Sequence, residues 1–131
     1  MTTANTLMEA LDITVTQAEP ERVVATMPVS SKVHQPFGIL HGGASVALAE
    51  TAASIGAAVN LDLDKQRAVG LEINANHVRS KRDGTLSALA TPLHRGRRTH
   101  VWQIDISDEA GKLVCTSRCT LAIIDIEDQS S

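Results

Sequence analysis

The stretch His41-Gly-Gly-Ala-Ser-Val-Ala-Leu-Ala-Glu50-Thr-Ala-Ala-Ser54-Ile-Gly-Ala-Ala-Val59 decides how this chain folds. Seven alanines in residues 43–59 make it the strongest helix-forming segment of the chain. It is apolar around most of its circumference, which predicts a helix buried on several sides rather than one lying on a surface. Its small side chains let surrounding backbone approach closely.

Outward from that helix the pattern alternates. Residues 11–18 (LDITVTQA) and 22–29 (RVVATMPV) alternate apolar and polar positions around a Glu19-Pro20-Glu21 turn, and predict a hairpin. Residues 30–40 form a loop carrying Pro36 and Gly38, and residues 60–65 end the helix. Residues 68–79 put Leu71, Ile73, Ala75 and His77 on one face, with Glu72, Asn74 and Asn76 on the other. Asp83-Gly84 is a hairpin signal leading into residues 86–93. Residues 98–107 set Trp102, Ile104 and Ile106 against Val101, Gln103 and Asp105, and a turn at Asp108–Gly111 precedes a long strand over 112–126.

The order β-β-α-β-β-β-β predicts an α+β fold, a curved antiparallel sheet wrapped around one long central helix. At 131 residues the chain has room for a single domain, 1–131, with 1–10 and 127–131 as peripheral tails. An open sheet has exposed edges, and the final strand is apolar on both faces (Leu113, Leu121 and Ile123 against Val114, Ala122 and Ile124). Pairing with another subunit resolves both, so a homo-oligomer is expected, a dimer at least.

Composition narrows the function. The formal net charge is −3 and the aromatic residues are Phe37 and Trp102 alone, which argues against a nucleic-acid module built on stacking. No signal peptide is evident at the start, and no charge-free apolar stretch reaches the roughly 18 residues that span a bilayer. Cys115 and Cys119 would lie roughly 13 Å apart along one strand, too far to bridge. Reduced cysteines suit a cytoplasmic protein. His34, His77, His94 and His100 have no short metal-ligand spacing, so neither a metal nor another cofactor is expected. Ser45 and Ser54 lack the setting of a serine nucleophile.

The chemistry concentrates around the helix start. Gly42-Gly43 leaves backbone amides open to approach, and the helix dipole adds positive potential there, a combination that can hold a developing oxyanion. Glu50 lies roughly two turns further along, with Ser54 on its face at i+4. A lone carboxylate on an apolar helix is either a solvent-facing residue in a narrow stripe or a desolvated base.

The same residues carry a resemblance. His41-Gly-Gly-Ala-Ser-Val-Ala-Leu-Ala-Glu50-Thr-Ala-Ala-Ser54 closely resembles the helix motif of hot-dog-fold acyl-CoA thioesterases. Gln35-Pro-Phe-Gly-Ile-Leu-His41, Val69-Gly-Leu-Glu-Ile-Asn-Ala-Asn-His77-Val-Arg-Ser80 and Pro92-Leu-His94-Arg-Gly96 are similar to the 4-hydroxybenzoyl-CoA thioesterase branch. Within it they look most like the 1,4-dihydroxy-2-naphthoyl-CoA thioesterases of menaquinone synthesis and their siderophore-pathway proofreading relatives.

The resemblance implies an enzyme that hydrolyses an aromatic acyl-CoA to the free acid and coenzyme A. Glu50 would be nucleophile or general base, Gly42 the amide donor to the thioester oxygen, Gln35 and His41 polarising or positioning groups, and Ser54 a water-placing group. The site would be completed by a second subunit in a dimer, with dimers arranged as a tetramer. The alternatives are a non-catalytic acyl-CoA or acyl-carrier-protein binder and a broad-specificity proofreading thioesterase.

Six of the twelve Lys and Arg residues fall in two clusters, Arg79, Lys81 and Arg82, and Arg95, Arg97 and Arg98. Each adjoins a strand end, so both are expected to face one anion, the phosphates of coenzyme A. The resemblance assigns coenzyme A contacts to Gly70, to His77, Val78, Arg79 and Ser80, and to His94, Arg95, Gly96, Arg97, Arg98 and Thr99.

Overall fold

Every turn of the central helix gives two neighbouring small or aliphatic residues to the core: Ala44 and Ser45, Leu48 and Ala49, Ala52 and Ala53, Gly56 and Ala57. This four-residue recurrence builds one continuous stripe on a 3.6-residue helix, and the stripe is what the sheet closes over. The computed structural model describes residues 2–126; the tail expected at 127–131 lies outside the described residues.

The elements are α1 (Leu7–Ala10), β1 (Thr14–Glu19), β2 (Arg22–Pro28), a 3-10 turn (Ser31–Val33), α2 (Gly42–Val59), β3 (Gln66–His77), β4 (Thr85–Arg95), β5 (Thr99–Ser107) and β6 (Leu113–Asp125). All strand pairs are antiparallel, in one six-stranded sheet of order β1-β2-β4-β5-β6-β3. The sheet curls so that α2 touches every strand, the hot-dog arrangement that the resemblance implies. α2 is long and apolar enough, by length and composition, to cross a membrane, but here it is the core helix.

Alternation is kept where strands are paired on both sides. Trp102, Ile104 and Ile106 are fully buried, while Val101, Gln103 and Asp105 face outward. On β6 the inward set is Cys115, Ser117, Cys119, Leu121 and Ile123. Val114, expected on the opposite face, is buried as well, because a bulge opposite Ile106 and Ser107 shifts the register there. A second bulge corrects the reading of β3. The pairing skips from Gly70 to Glu72, leaving Leu71 unpaired and 63% exposed, while Ile73 and Ala75 still pack on the core.

One expectation about burial changes. α2 is covered on one side only, and Ala47, Glu50, Thr51, Ser54 and Ile55 form a half-buried stripe on the other. The physical reason is that a single sheet has one concave face, and only α1 reaches across the rest. Of residues 2–10 all but Met8 are exposed. Thr6 caps α1, and Met8 and Leu11 pack against the core.

At the far end of α2 the helix rests on Trp102. A Cβ on Gly56 would stand 2.6 Å from the indole, so only glycine permits that approach. The indole Nε1–H donates to Nδ1 of buried His100 at 3.3 Å, which requires His100 to be neutral. Burial, with Arg95 and His94 adding to it, holds the His100 pKa below its ordinary value of 6.5. The unfolded chain therefore binds this proton more readily. The stability that neutral His100 contributes is complete above the ordinary histidine range and is lost as pH falls through it. The urea midpoint should drop between about pH 7 and pH 5, and the drop should shrink in His100→Gln, whose amide still accepts from Trp102 but does not titrate.

Candidate active site

The loop after the 3-10 turn is folded so that polar side chains converge on the first turn of α2. His41 is the N-cap, and its Nδ1 accepts the Gly43 N–H at 2.8 Å. That bond leaves Nδ1 unprotonated and the proton on Nε2. His41 thus caps the helix, and the bond orients its ring with the Nε2–H as the donor. Gln35 is pinned by its own turn. Its N–H donates to Ile39 O at 2.8 Å, and its side-chain Oε1 accepts from the Phe37 N–H. Fixing Oε1 in this way leaves the Nε2 hydrogens as the donor end of the amide. Gly42 occupies the first helical position, whose N–H has no intrahelical acceptor. The His77 ring stands so close that a Cβ on Gly42 would lie 2.9 Å from Nε2. Gln35, Gly42, His77, Arg79 and Ser80 share a cleft of 310 Å³ with Ile39, Leu40 and Val114.

Glu50 opens elsewhere. With Ser54 it borders a groove of 430 Å³ walled by Leu7, Met8, Ala47, Thr51 and Ile55. Its Oε2 lies against the backbone of Gly70, where any Cβ would collide with it. Gly70 thus makes room for the carboxylate. Among the described residues no cation pairs with Glu50; the ion pairs are Lys32–Asp12 at 2.6 Å and Lys81–Glu109 at 2.5 Å. Eight residues of helix separate Glu50 from Gly42, about 12 Å along the axis.

The two basic clusters do not face one anion in this chain. Val69 and Thr99 both pair with Ala122, whereas His77 and Ile106 both pair with Cys115. Arg79, Lys81 and Arg82 therefore lie at the opposite end of the strands from Arg95, Arg97 and Arg98. The gap is about 26 Å, from eight residues of β3. Nor is every base in them free. The Lys81 ammonium is bound to Glu109, which raises its pKa. Arg95 donates to Pro20 O and Asn60 Oδ1 at the C-terminal end of α2. Arg97 and Arg98 border a cleft of 480 Å³ with Gln66 and Asp125. Gly96 donates to Thr99 O in the tight β4–β5 turn, against which the His94 ring packs. Val78 and Arg79 both donate to Val114 O, which leaves the Val78 side chain exposed.

Leu7 and Met8 were not among the expected site residues. The signal for them is Thr6-Leu-Met-Glu9, a Thr-x-x-Glu helix start in which Thr6 Oγ1 accepts the Glu9 N–H. Among the small residues of α2, Ala53 and Gly56 are buried in the core, whereas Ala47 borders the Glu50 groove.

A hot-dog domain with a helix-borne carboxylate and an open helix-start amide defines the class: an acyl-transfer enzyme of the thioester-hydrolysing kind. The thioesterase superfamily model matches residues 37–115, and the chain belongs to that superfamily. It is 51% identical to a 1,4-dihydroxy-2-naphthoyl-CoA hydrolase of Listeria monocytogenes, over 89% of this chain and 94% of that one. It is 46% identical to the proofreading thioesterase EntH of Cronobacter sakazakii, over 94% and 89%. Its structure is similar to a thioesterase from Haemophilus influenzae, with TM-score 0.90 and 46% identity, over 95% and 86% of the two chains.

Cysteine chemistry has no footing here. Both thiols are buried and unbridged. Burial, then the charges of Glu50 and Glu72, push the Cys119 pKa to about 12, and Cys115 is raised by burial and Asp105. Neither thiol is a nucleophile near neutral pH. Ellman's reagent should therefore label neither thiol in the native protein over minutes, and both after denaturation in guanidinium.

Proposed function

We propose that this protein hydrolyses an acyl-CoA thioester, with Glu50 of one subunit acting beside Gln35, His41 and Gly42 of another. The observation that carries this reading is an unpaired, half-buried carboxylate set against Gly70 in a mostly apolar groove. A structural carboxylate in such a place would have a cation or hydrogen-bond donor beside it.

Geometry supports a shared site. A nucleophile and an oxyanion donor each stand about 3 Å from a reacting carbonyl, so the two groups must lie within about 6 Å of each other. The Gly42 amide and Glu50 of one helix are separated by about twice that along the axis. A two-fold related copy supplies the missing half, since a self-complementary contact sets each helix start against the partner's Glu50. The exposed edge strand β3, with Val69 and Leu71 uncovered, offers the surface for such a contact. A tetramer of two such dimers is the expected assembly.

The Gly42 N–H and the Gln35 amide then draw electron density onto the carbonyl oxygen. Glu50 either bonds to the carbonyl carbon, expelling the thiolate and leaving an anhydride for water to open, or takes a proton from the attacking water. Ser54, on its face at i+4, holds that water. Arg79 and Ser80 at one end, and Arg97 and Arg98 at the other, are partners for the phosphates of coenzyme A, reached from different subunits. No cofactor is required, and the buried, reduced cysteines fit a cytoplasmic enzyme.

The relative named as a 1,4-dihydroxy-2-naphthoyl-CoA hydrolase supports an aromatic acyl group. The relative named as a proofreading thioesterase supports a second reading, a broad acyl range.

Glu50→Gln should lower kcat for acyl-CoA hydrolysis by about 10²- to 10⁴-fold, with the unfolding midpoint retained because the residue sits on the open stripe. Thiol release followed with a chromogenic disulfide measures it across benzoyl-, hydroxynaphthoyl- and straight-chain acyl-CoAs. Near-normal release by the variant would remove Glu50 from the mechanism, and binding without release by the unaltered protein would favour a non-catalytic acyl-CoA binder.

A further inference from the structure

We propose that α1 is the wall of the acyl subsite and that Leu7 on it sets which acyl groups are preferred. The proposal rests on Glu50 as the reaction centre. A carboxylate that acts on a thioester carbonyl, directly or through one water, holds that carbon within about 3–5 Å. The acyl group must then lie on whatever flanks Glu50.

In this chain the flank is apolar and comes from two helices. Leu7 and Met8 of α1 face Ala47 and Ile55 of α2 across the groove that Glu50 and Ser54 border. Leu7 and Ala47 also border a second groove of 280 Å³, lined further by Leu11, Val33 and Ala44. An apolar path therefore leads from the carboxylate past Leu7 toward the start of α2. Leu7 is 62% exposed although Met8 and Leu11 beside it pack on the core, so its side chain is an uncovered contact surface. The wall that carries it is anchored. Met8 and Leu11 pack on the core, and Met8 O accepts the Ile13 N–H at 2.9 Å.

Charge narrows the occupant to a neutral acyl chain or ring. No basic residue borders the Glu50 groove among the described residues, and Glu50 itself repels an acyl carboxylate. Lys32, at the rim of the second groove, is engaged with Asp12.

The test compares kcat/KM for benzoyl-, hexanoyl- and acetyl-CoA in the full-length protein. Contact with Leu7 should matter for the two larger acyl groups and little for acetyl. Leu7→Ala is expected to lower the benzoyl-to-acetyl and hexanoyl-to-acetyl ratios about 5- to 20-fold, the range one apolar contact supplies. Leu7→Met, which keeps the contact, should stay within about twofold of the unaltered ratios. Ratios in Leu7→Ala within twofold of the unaltered protein, or an equal fall for all three substrates, would overturn the proposal. Failure of the underlying reading looks different: Glu50→Gln would then turn over all three substrates normally, whatever stands at position 7. Circular dichroism of the Leu7 variants confirms the fold; should Leu7→Ala unfold, Leu7→Gln, of similar size but polar, should lower the same two ratios, and unchanged ratios in it would overturn the proposal.

Discussion

The close approach of sheet to helix, possible only because α2 presents alanine and glycine to it, is the constraint on which this structure rests. Ala49, Ala52, Ala53 and Ala57 are fully buried, and Gly56 lies directly on the Trp102 indole. A larger side chain anywhere on this stripe would hold the sheet off and open voids in a core that has only one large aromatic ring. The thin helix also explains why six strands can curl round it without a second helix. The same economy leaves the opposite side of α2 uncovered, and that is where the polar residues sit.

Chemistry follows from that uncovered side. The carboxylate of Glu50 is held between the open stripe and the backbone of Gly70, and the His41 cap fixes the first turn of α2 through the Gly43 N–H. Eight residues of rigid helix set the backbone positions of Gly42 and Glu50 about 12 Å apart along the axis. That spacing supports the proposed site, in which the two groups come from different subunits. Arg95 near the C-terminal end of α2 has a further role in this frame, since it complements the negative end of the helix and ties Asn60 to the β1–β2 turn.

Much of this was legible before any coordinates. The alanine-rich helix, the alternating strands, the Asp83-Gly84 turn and the convergence of Gln35 and Gly42 at the helix start were all readable, because each depends on local periodicity or local backbone geometry. The shift in parity on β3 was not, because a bulge at Leu71 leaves no mark in an alternating pattern. The separation of the basic clusters follows from β4 alone, since Arg79, Lys81 and Arg82 precede this extended strand and Arg95, Arg97 and Arg98 lie at its other end. The wall built by Leu7 and Met8 was missed because a one-turn helix is too short to show a period, although its Thr-x-x-Glu start is visible.

Subunit complementation tests the central claim most directly: that neither helix completes a site by itself. Glu50→Gln and Gln35→Ala proteins, each nearly inactive, are co-expressed with different tags and the mixed oligomers isolated. If Glu50 of one subunit works with Gln35 of its partner, each mixed dimer holds one intact site of two, and purified mixed dimers regain about half of the unaltered activity. Mixed dimers no more active than either parent would contradict the account and return both residues to a site within one chain.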